Sequence, residues 1–182
     1  GHIYIRCKYA VVEYDLRKDV FHTIRDNNIL AIHYGNSRLW ACTRDSLFTY
    51  NPTDKRLEYY YTLKDVRISC LMEDPGGNLY VGTMNKGLYV IDTNKKWLRY
   101  FADKDITCLY RDSKENIWVG TKDDGLIRLD RNGSTTTYVH TPYANGLSSN
   151  YVRCLAEDNG GNYWVGTYKG LDKLDVTTHT FT

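Results

Sequence analysis

The sequence predicts an all-β chain built of four-stranded antiparallel β-propeller blades. Three observations predict it: an aromatic-centred motif that recurs about every 40 residues, four short strand-like runs in each repeat, and no amphipathic helical window between them. The motif stands at Leu39-Trp40-Ala41-Cys42-Thr43, Leu79-Tyr80-Val81-Gly82-Thr83, Ile117-Trp118-Val119-Gly120-Thr121 and Tyr163-Trp164-Val165-Gly166-Thr167, with a degraded copy at Ile3-Tyr4-Ile5-Arg6-Cys7. Its aromatic falls at 4, 40, 80, 118 and 164, and the long last interval holds an insertion from Thr141 to Asn150, rich in Asn, Ser and Gly.

The flanks repeat as well. An apolar run and a turn precede the motif, as in Ile68-Ser69-Cys70-Leu71 before Asp74-Pro75-Gly76-Gly77-Asn78, or Val152-Arg153-Cys154-Leu155 before Asp158-Asn159-Gly160-Gly161-Asn162. A Gly-started run ending in Asp follows it, closing on Asp92, Asp130 and Asp175. An aromatic run such as Leu57-Glu58-Tyr59-Tyr60-Tyr61 or Trp97-Leu98-Arg99-Tyr100-Phe101 completes the unit. Gly, Asn, Asp and Pro between the runs supply turn chemistry. Units this short cannot bury a core alone, so neighbouring units must cover one another's faces, as propeller blades do.

Counted along the chain, the runs give second, third and outer strands for the first repeat and then four complete repeats, about four and three-quarters blades with portions at 1–26, 27–64, 65–103, 104–141 and 142–182. One innermost strand is lacking upstream of Gly1. The sequence is therefore expected to be a section of a larger, seven-bladed propeller, or a ring that another segment completes, because closure removes the sheet edges that invite aggregation.

Composition narrows the function. With 24 basic and 22 acidic side chains the net charge is +2, which gives no electrostatic case for nucleic acid or an anionic membrane. No apolar stretch is long enough to cross a bilayer, and no signal peptide is visible. The five Cys form no CxxC pair, against a zinc site or a disulfide framework. Three of them, Cys70, Cys108 and Cys154, share the third position of the innermost strand with Ala31, where small apolar residues suit the crowded propeller axis. The 17 Tyr and 4 Trp fit half-buried strands.

The run Ile/Tyr-Trp-Val-Gly-Thr, then Gly-Leu, then Leu-Asp, resembles the two-component regulator propeller repeat. The match is closest from Leu147-Ser148-Ser149-Asn150 through Glu157-Asp158, Trp164-Val165-Gly166-Thr167 and Gly170-Leu171 to Leu174-Asp175. The resemblance implies a periplasmic sensor region of a bacterial hybrid two-component system. In that family, propellers and a sandwich domain precede a membrane helix and cytoplasmic kinase and receiver domains, and many members sense products of polysaccharide breakdown. The partners it implies are an oligosaccharide ligand, the remaining blades and sensor domains of the same chain, and a second copy in a homodimer.

The repeated residues themselves read as structural. Trp40, Tyr80, Trp118 and Trp164 are expected between blades, the Gly of Val-Gly-Thr at a close approach or an unusual dihedral, and Asp92, Asp130 and Asp175 as caps of the turn into the outer strand. Function is expected where the repeats differ, on loops. The second-to-third-strand turns place Arg44, Asn85 with Lys86, Lys122 with Asp123, and Tyr168 with Lys169 on one rim, while the outer-to-inner connections add Tyr143. That ring of cations would suit an acidic or sulfated oligosaccharide, with Tyr143 or Tyr168 stacking on sugar faces.

No catalytic, metal or cofactor site is read from the sequence: the His residues show no ligand spacing, and there is no Gly-rich phosphate loop. The leading expectation is a ligand-sensing segment. The alternatives are a structural propeller mediating dimer or domain contacts, and a propeller-fold polysaccharide lyase or hydrolase.

Overall fold

The computed structural model describes residues 1–8, 10–24, 28–142 and 145–182. Among the described residues all regular structure is β, in five antiparallel sheets. The first has three strands, β1 (His2–Arg6), β2 (Val11–Asp15) and β3 (Val20–Ile24). The second comprises β4 (Ala31–Gly35), β5 (Arg38–Cys42), β6 (Ser46–Asn51) and β7 (Arg56–Thr62). The third comprises β8 (Arg67–Glu73), β9 (Leu79–Met84), β10 (Leu88–Ile91) and β11 (Trp97–Tyr100). The fourth comprises β12 (Ile106–Arg111), β13 (Ile117–Thr121), β14 (Leu126–Leu129) and β15 (Thr135–Tyr138). The fifth comprises β16 (Val152–Glu157), β17 (Tyr163–Thr167), β18 (Leu171–Asp175) and β19 (Thr180–Phe181). Each sheet is an up-and-down meander in which consecutive strands pair, the wiring of a propeller blade. No helix among the described residues is long and apolar enough to cross a membrane.

The core lies between sheets. Trp40, Cys42, Leu47 and Leu63 of the second sheet close on Val66, Ile68, Leu79 and Val81 of the third. Met72 and Leu88 meet Ile106, Ile117, Val119 and Ile127 of the fourth, and Trp118, Leu126 and Tyr138 meet Val152, Tyr163 and Val165 of the fifth. Val11 and Ile24 likewise meet Ile29, Leu39, Ala41 and Tyr50. A blade therefore buries its apolar side chains only against its neighbours, and both faces of a middle blade are apolar. Hydroxyls at the inner strands tie blades together: Ser69 Oγ donates to the Ile106 carbonyl (2.5 Å) and Thr107 Oγ1 to that of Val152 (2.6 Å), both at a bulge where the pairing register shifts.

The Gly of Val-Gly-Thr is explained by a close approach rather than a dihedral, since Gly82, Gly120 and Gly166 are not among the residues of positive φ. Each lies directly across the ladder from an inner-strand cysteine, in the pairs Cys70–Gly82, Cys108–Gly120 and Cys154–Gly166. A Cβ on Gly166 would stand 2.5 Å from Cys154 Sγ, and those on Gly82 and Gly120 would collide with Cys70 and Cys108. In the second sheet the pair is reversed, Ala31 lying opposite Cys42. Each pair thus holds one sulfur, and the small residue makes room for it. The packing expected of these cysteines is thus against the glycine across the ladder. Cys154 is also exposed rather than buried, and Cys70 and Cys108 are half-buried.

The aromatics behave as expected in the middle blades, where Trp40 and Trp118 are buried, and Trp118 packs on Tyr163 of the next sheet with ring centres 4.9 Å apart. Trp164, on the fifth sheet, is instead 37% exposed. Asp92 and Asp175 cap their turns as read, Asp92 accepting from the Asn94 and Lys96 amides and Asp175 from those of Thr177 and Thr178. Asp130 does not: its carboxylate pairs with Arg128 at 2.7 Å, and Asn132 caps that turn through the Ser134 amide.

A second set of aspartates, in the turns between first and second strands, locks the motifs of the third, fourth and fifth sheets. Asp112 accepts from the Asn116 amide, the Asn116 side chain and Trp118 Nε1 (2.9 Å), and also from Tyr163 OH of the next sheet (2.9 Å). Burial opposes ionisation of Asp112, but the bonds from Asn116, Trp118 and Tyr163 together outweigh it and hold the carboxyl below its ordinary range. Asp158 repeats the arrangement with Asn162 and Trp164, and its carboxyl is likewise held low, by Trp164 first and then Asn162.

Candidate functional site

The strands alternate in direction, so the turns divide between two faces. The second-to-third-strand turns lie on one, bonded by their backbones to the outer-to-inner connections: the Leu63 amide to the Asp45 carbonyl, Gly87 to Lys104, Lys122 to Asp105 and Tyr168 to Tyr151. This is the rim on which Arg44, Asn85, Lys86, Lys122, Asp123, Tyr168 and Lys169 sit; Tyr143 lies outside the described residues. The rim is mixed in charge. A hollow of about 410 Å³ brings Arg44, Arg67 and Asn85 together with Asp45 and Asp65. Lys104 is bound to Asp124 at 2.6 Å. Tyr168, 69% exposed, stacks parallel to Tyr151 with centres 6.0 Å apart. The insertion is fastened beneath this rim by buried Leu147 and by Ser148, whose amide and hydroxyl both donate to Asp172 at 2.9 Å.

The opposite face, where inner strands end and first-to-second-strand turns begin, carries an open groove that the loop-based reading missed. Its inner part, about 420 Å³, is walled by His33, Tyr34 and Asn36 at the end of β4, Met72 and Glu73 at the end of β8, and Leu109 to Arg111 at the end of β12. Its outer part, about 400 Å³, runs between the third and fourth sheets past Tyr80, Tyr100, Glu115 and Arg131, and shares Pro75 and Arg111 with the inner part. The two are one groove fed by three blades.

A sequence signal for it exists. The inner strands agree at their centres, in Ala31-Ile32, Cys70-Leu71, Cys108-Leu109 and Cys154-Leu155. They diverge at their ends, in His33-Tyr34, Met72-Glu73, Tyr110-Arg111 and Ala156-Glu157, apart from the glutamate that the second and fourth of these share. The rule that function sits where repeats differ applies to strand ends as well as to loops.

The chemistry of the groove changes along its length. At the outer end Glu115 bridges two cations, with Oε1 2.8 Å from Arg111 and Oε2 2.8 Å from Arg131. Tyr80 OH donates to Asp74 at 3.3 Å, and burial, with Asp74 beside it, pushes the phenol up to about 12. At the inner end Glu73 is buried, and desolvation raises its carboxyl pKa against the pull of Trp40 and Arg38. His33, also desolvated, is shifted down and so is held neutral. Three buried polar atoms gather here without a hydrogen-bond partner: His33 Nε2, Trp40 Nε1 and Glu73 Oε2.

A groove on one face of stacked four-stranded blades, with repeat-specific side chains at its floor, defines a β-propeller of the repeat-scaffold kind. The family described as two-component regulator propeller matches residues 62–85, 100–123 and 146–169. Among solved structures it is similar to the extracellular domain of the hybrid two-component system BT4673 of B. thetaiotaomicron, at 17% identity and a TM-score of 0.77 over 94% of this chain and 25% of that one. It is similar to that of BT3049 of the same organism, at 17% identity and a TM-score of 0.71 over 100% of this chain and 33% of that one. Virginiamycin B lyase from Staphylococcus aureus is similar too, at 14% identity and a TM-score of 0.79 over 100% of this chain and 65% of that one. The likeness at these identities is one of fold, and the chain spans less than two thirds of each of these proteins. A comparison with curated proteins finds no match.

Proposed function

We propose that this chain is a ligand-sensing propeller segment of the extracytoplasmic part of a hybrid two-component system, and that it responds to an oligosaccharide from polysaccharide breakdown. The observation that carries the reading is the divergence of the inner-strand ends around one groove. Residues that build blades recur, whereas His33, Tyr34, Met72, Tyr110 and Arg111 differ from copy to copy and share a single cleft with Glu73. Exposed tyrosine faces beside hydrogen-bonding side chains suit a sugar, which offers a C–H face to stack and hydroxyls to bond. The propeller repeats, and the likeness in fold to two extracellular domains of hybrid two-component systems, support the sensory context.

A second reading is favoured by one pair. Glu73, with its raised carboxyl, lies beside neutral His33, a combination able to move protons, and the fold is also that of a lyase. Incubating the chain with a panel of oligosaccharides separates the two readings, with binding followed by calorimetry and products by mass spectrometry. The sensor reading expects saturable binding with the oligosaccharide recovered intact. Cleaved product that disappears in Glu73→Gln would replace it with the enzyme.

A further inference from the structure

We infer that the inner end of the groove, at Glu73 and His33, anchors a neutral polyhydroxyl ligand, the end of an uncharged saccharide chain. This rests on the ligand-sensing reading and departs from an acidic or sulfated ligand held by the rim cations. The starting point is an irregularity in the repeat. In the third, fourth and fifth sheets the motif aromatic donates to the aspartate of the preceding turn: Tyr80 to Asp74 (3.3 Å), Trp118 to Asp112 (2.9 Å) and Trp164 to Asp158 (2.9 Å). In the second sheet the turn from β4 to β5 is only Asn36-Ser37 and carries no such aspartate. Trp40 Nε1 instead interacts with the Glu73 carboxylate of the next blade, and Glu73 Oε2 is left without a hydrogen-bond partner.

The Glu73 Oε2 acceptor and the His33 Nε2 nitrogen therefore stand in one region without a hydrogen-bond partner, the imidazole being held by its bond to the Glu73 backbone. Glu73 is 8% exposed and Trp40 2% exposed, so water does not serve them freely. The matching positions hold Tyr34, Arg111 and Glu157, and Glu157 spends its carboxylate on the Ser113 amide and hydroxyl of the preceding blade, whereas Glu73 Oε2 has no partner. His33 and Glu73 both stand in the wall of the inner hollow.

The donor set selects the ligand class. A hydroxyl both accepts and donates, so one sugar hydroxyl can donate to Glu73 while accepting from His33. An ammonium only donates, and it meets Arg38 (5.3 Å over the Trp40 ring) and Arg111. A sulfate or carboxylate only accepts and meets the Glu73 carboxylate. Tyr34, 55% exposed at the mouth and stacked on Tyr4 at 5.3 Å, gives a braced flat ring for the sugar's apolar face.

The test is calorimetric titration of the chain, and of Glu73→Gln, Tyr34→Ala and the double variant Lys86→Ala/Lys122→Ala. One set of probes is neutral (xylo-, arabino-, manno- and gluco-oligosaccharides) and the other acidic (oligogalacturonides and heparin-derived oligosaccharides). Melting curves check that each variant is folded. The expected result is binding of a neutral oligosaccharide, weakened at least tenfold in Glu73→Gln and in Tyr34→Ala but unchanged in the lysine double variant. Binding of acidic probes alone, lost in the lysine variant and kept in Glu73→Gln, overturns the anchor and leaves the sensing reading standing. Absence of binding to either set overturns both.

Discussion

Asp112, 2% exposed, receives donors from its own turn, its own motif tryptophan and a tyrosine of the next blade, so one carboxylate fastens three elements. Asp112→Ala leaves those buried donors unanswered and is expected to cost on the order of 3 kcal/mol, read by denaturant unfolding. The pH dependence has a fixed sign. Because the folded-state pKa is lowered, the stabilisation is present above the unfolded carboxyl value of about 4 and is lost as pH falls through the folded value. The gap between wild type and variant should thus be constant near neutrality and close under acid; a gap that widens there contradicts this assignment. Cysteine reactivity is set at the same scale. Burial pushes the Cys42 and Cys70 thiols up to about 12 and Cys108 up to about 11, whereas Cys7 and Cys154 are exposed. Native protein should react with a maleimide at Cys7 and Cys154 alone, and at the other three only after unfolding.

At the scale of the element, the cross-ladder pairs give the sharpest prediction. Gly166→Ala should destabilise the chain by about 1–3 kcal/mol, because the added methyl meets Cys154 Sγ. Adding Cys154→Ala should recover most of that loss, since removing the sulfur leaves two small residues in the pair. Equal unfolding midpoints for the single and double variants would show that the cysteine is not the obstacle. Such pairs mark where the sequence was legible. The aromatic motif, the turn chemistry and the strand order follow from local pattern, and the strands appear where the runs place them. The Cys–Gly compensation is a contact between strands, visible only once the register is known. The Asp112 lock could have been found, because Asp, Asn four residues on and the aromatic six residues on recur at Asp74, Asp112 and Asp158. Asp130 could not, because its preference for Arg128 over the turn depends on an arginine that the other copies lack.

For the whole molecule, stability and function draw on different parts of one repeat. The conserved centres of the strands bury each blade against the next. The inner-strand ends differ between blades and together shape the groove. The groove was only faintly legible in sequence, through the divergence of the inner-strand ends, because His33, Glu73 and Arg111 come from three blades and match no motif. The measurement that tests the central claim most directly is hydrogen–deuterium exchange of the chain with and without a bound neutral oligosaccharide. The predicted result is slowed exchange at Tyr34–Ser37, Met72–Gly77 and Leu109–Glu115, with the opposite face unchanged. Protection confined to the hairpins at Asn85–Gly87, Lys122–Gly125 and Tyr168–Gly170 would contradict it and return the ligand to the rim.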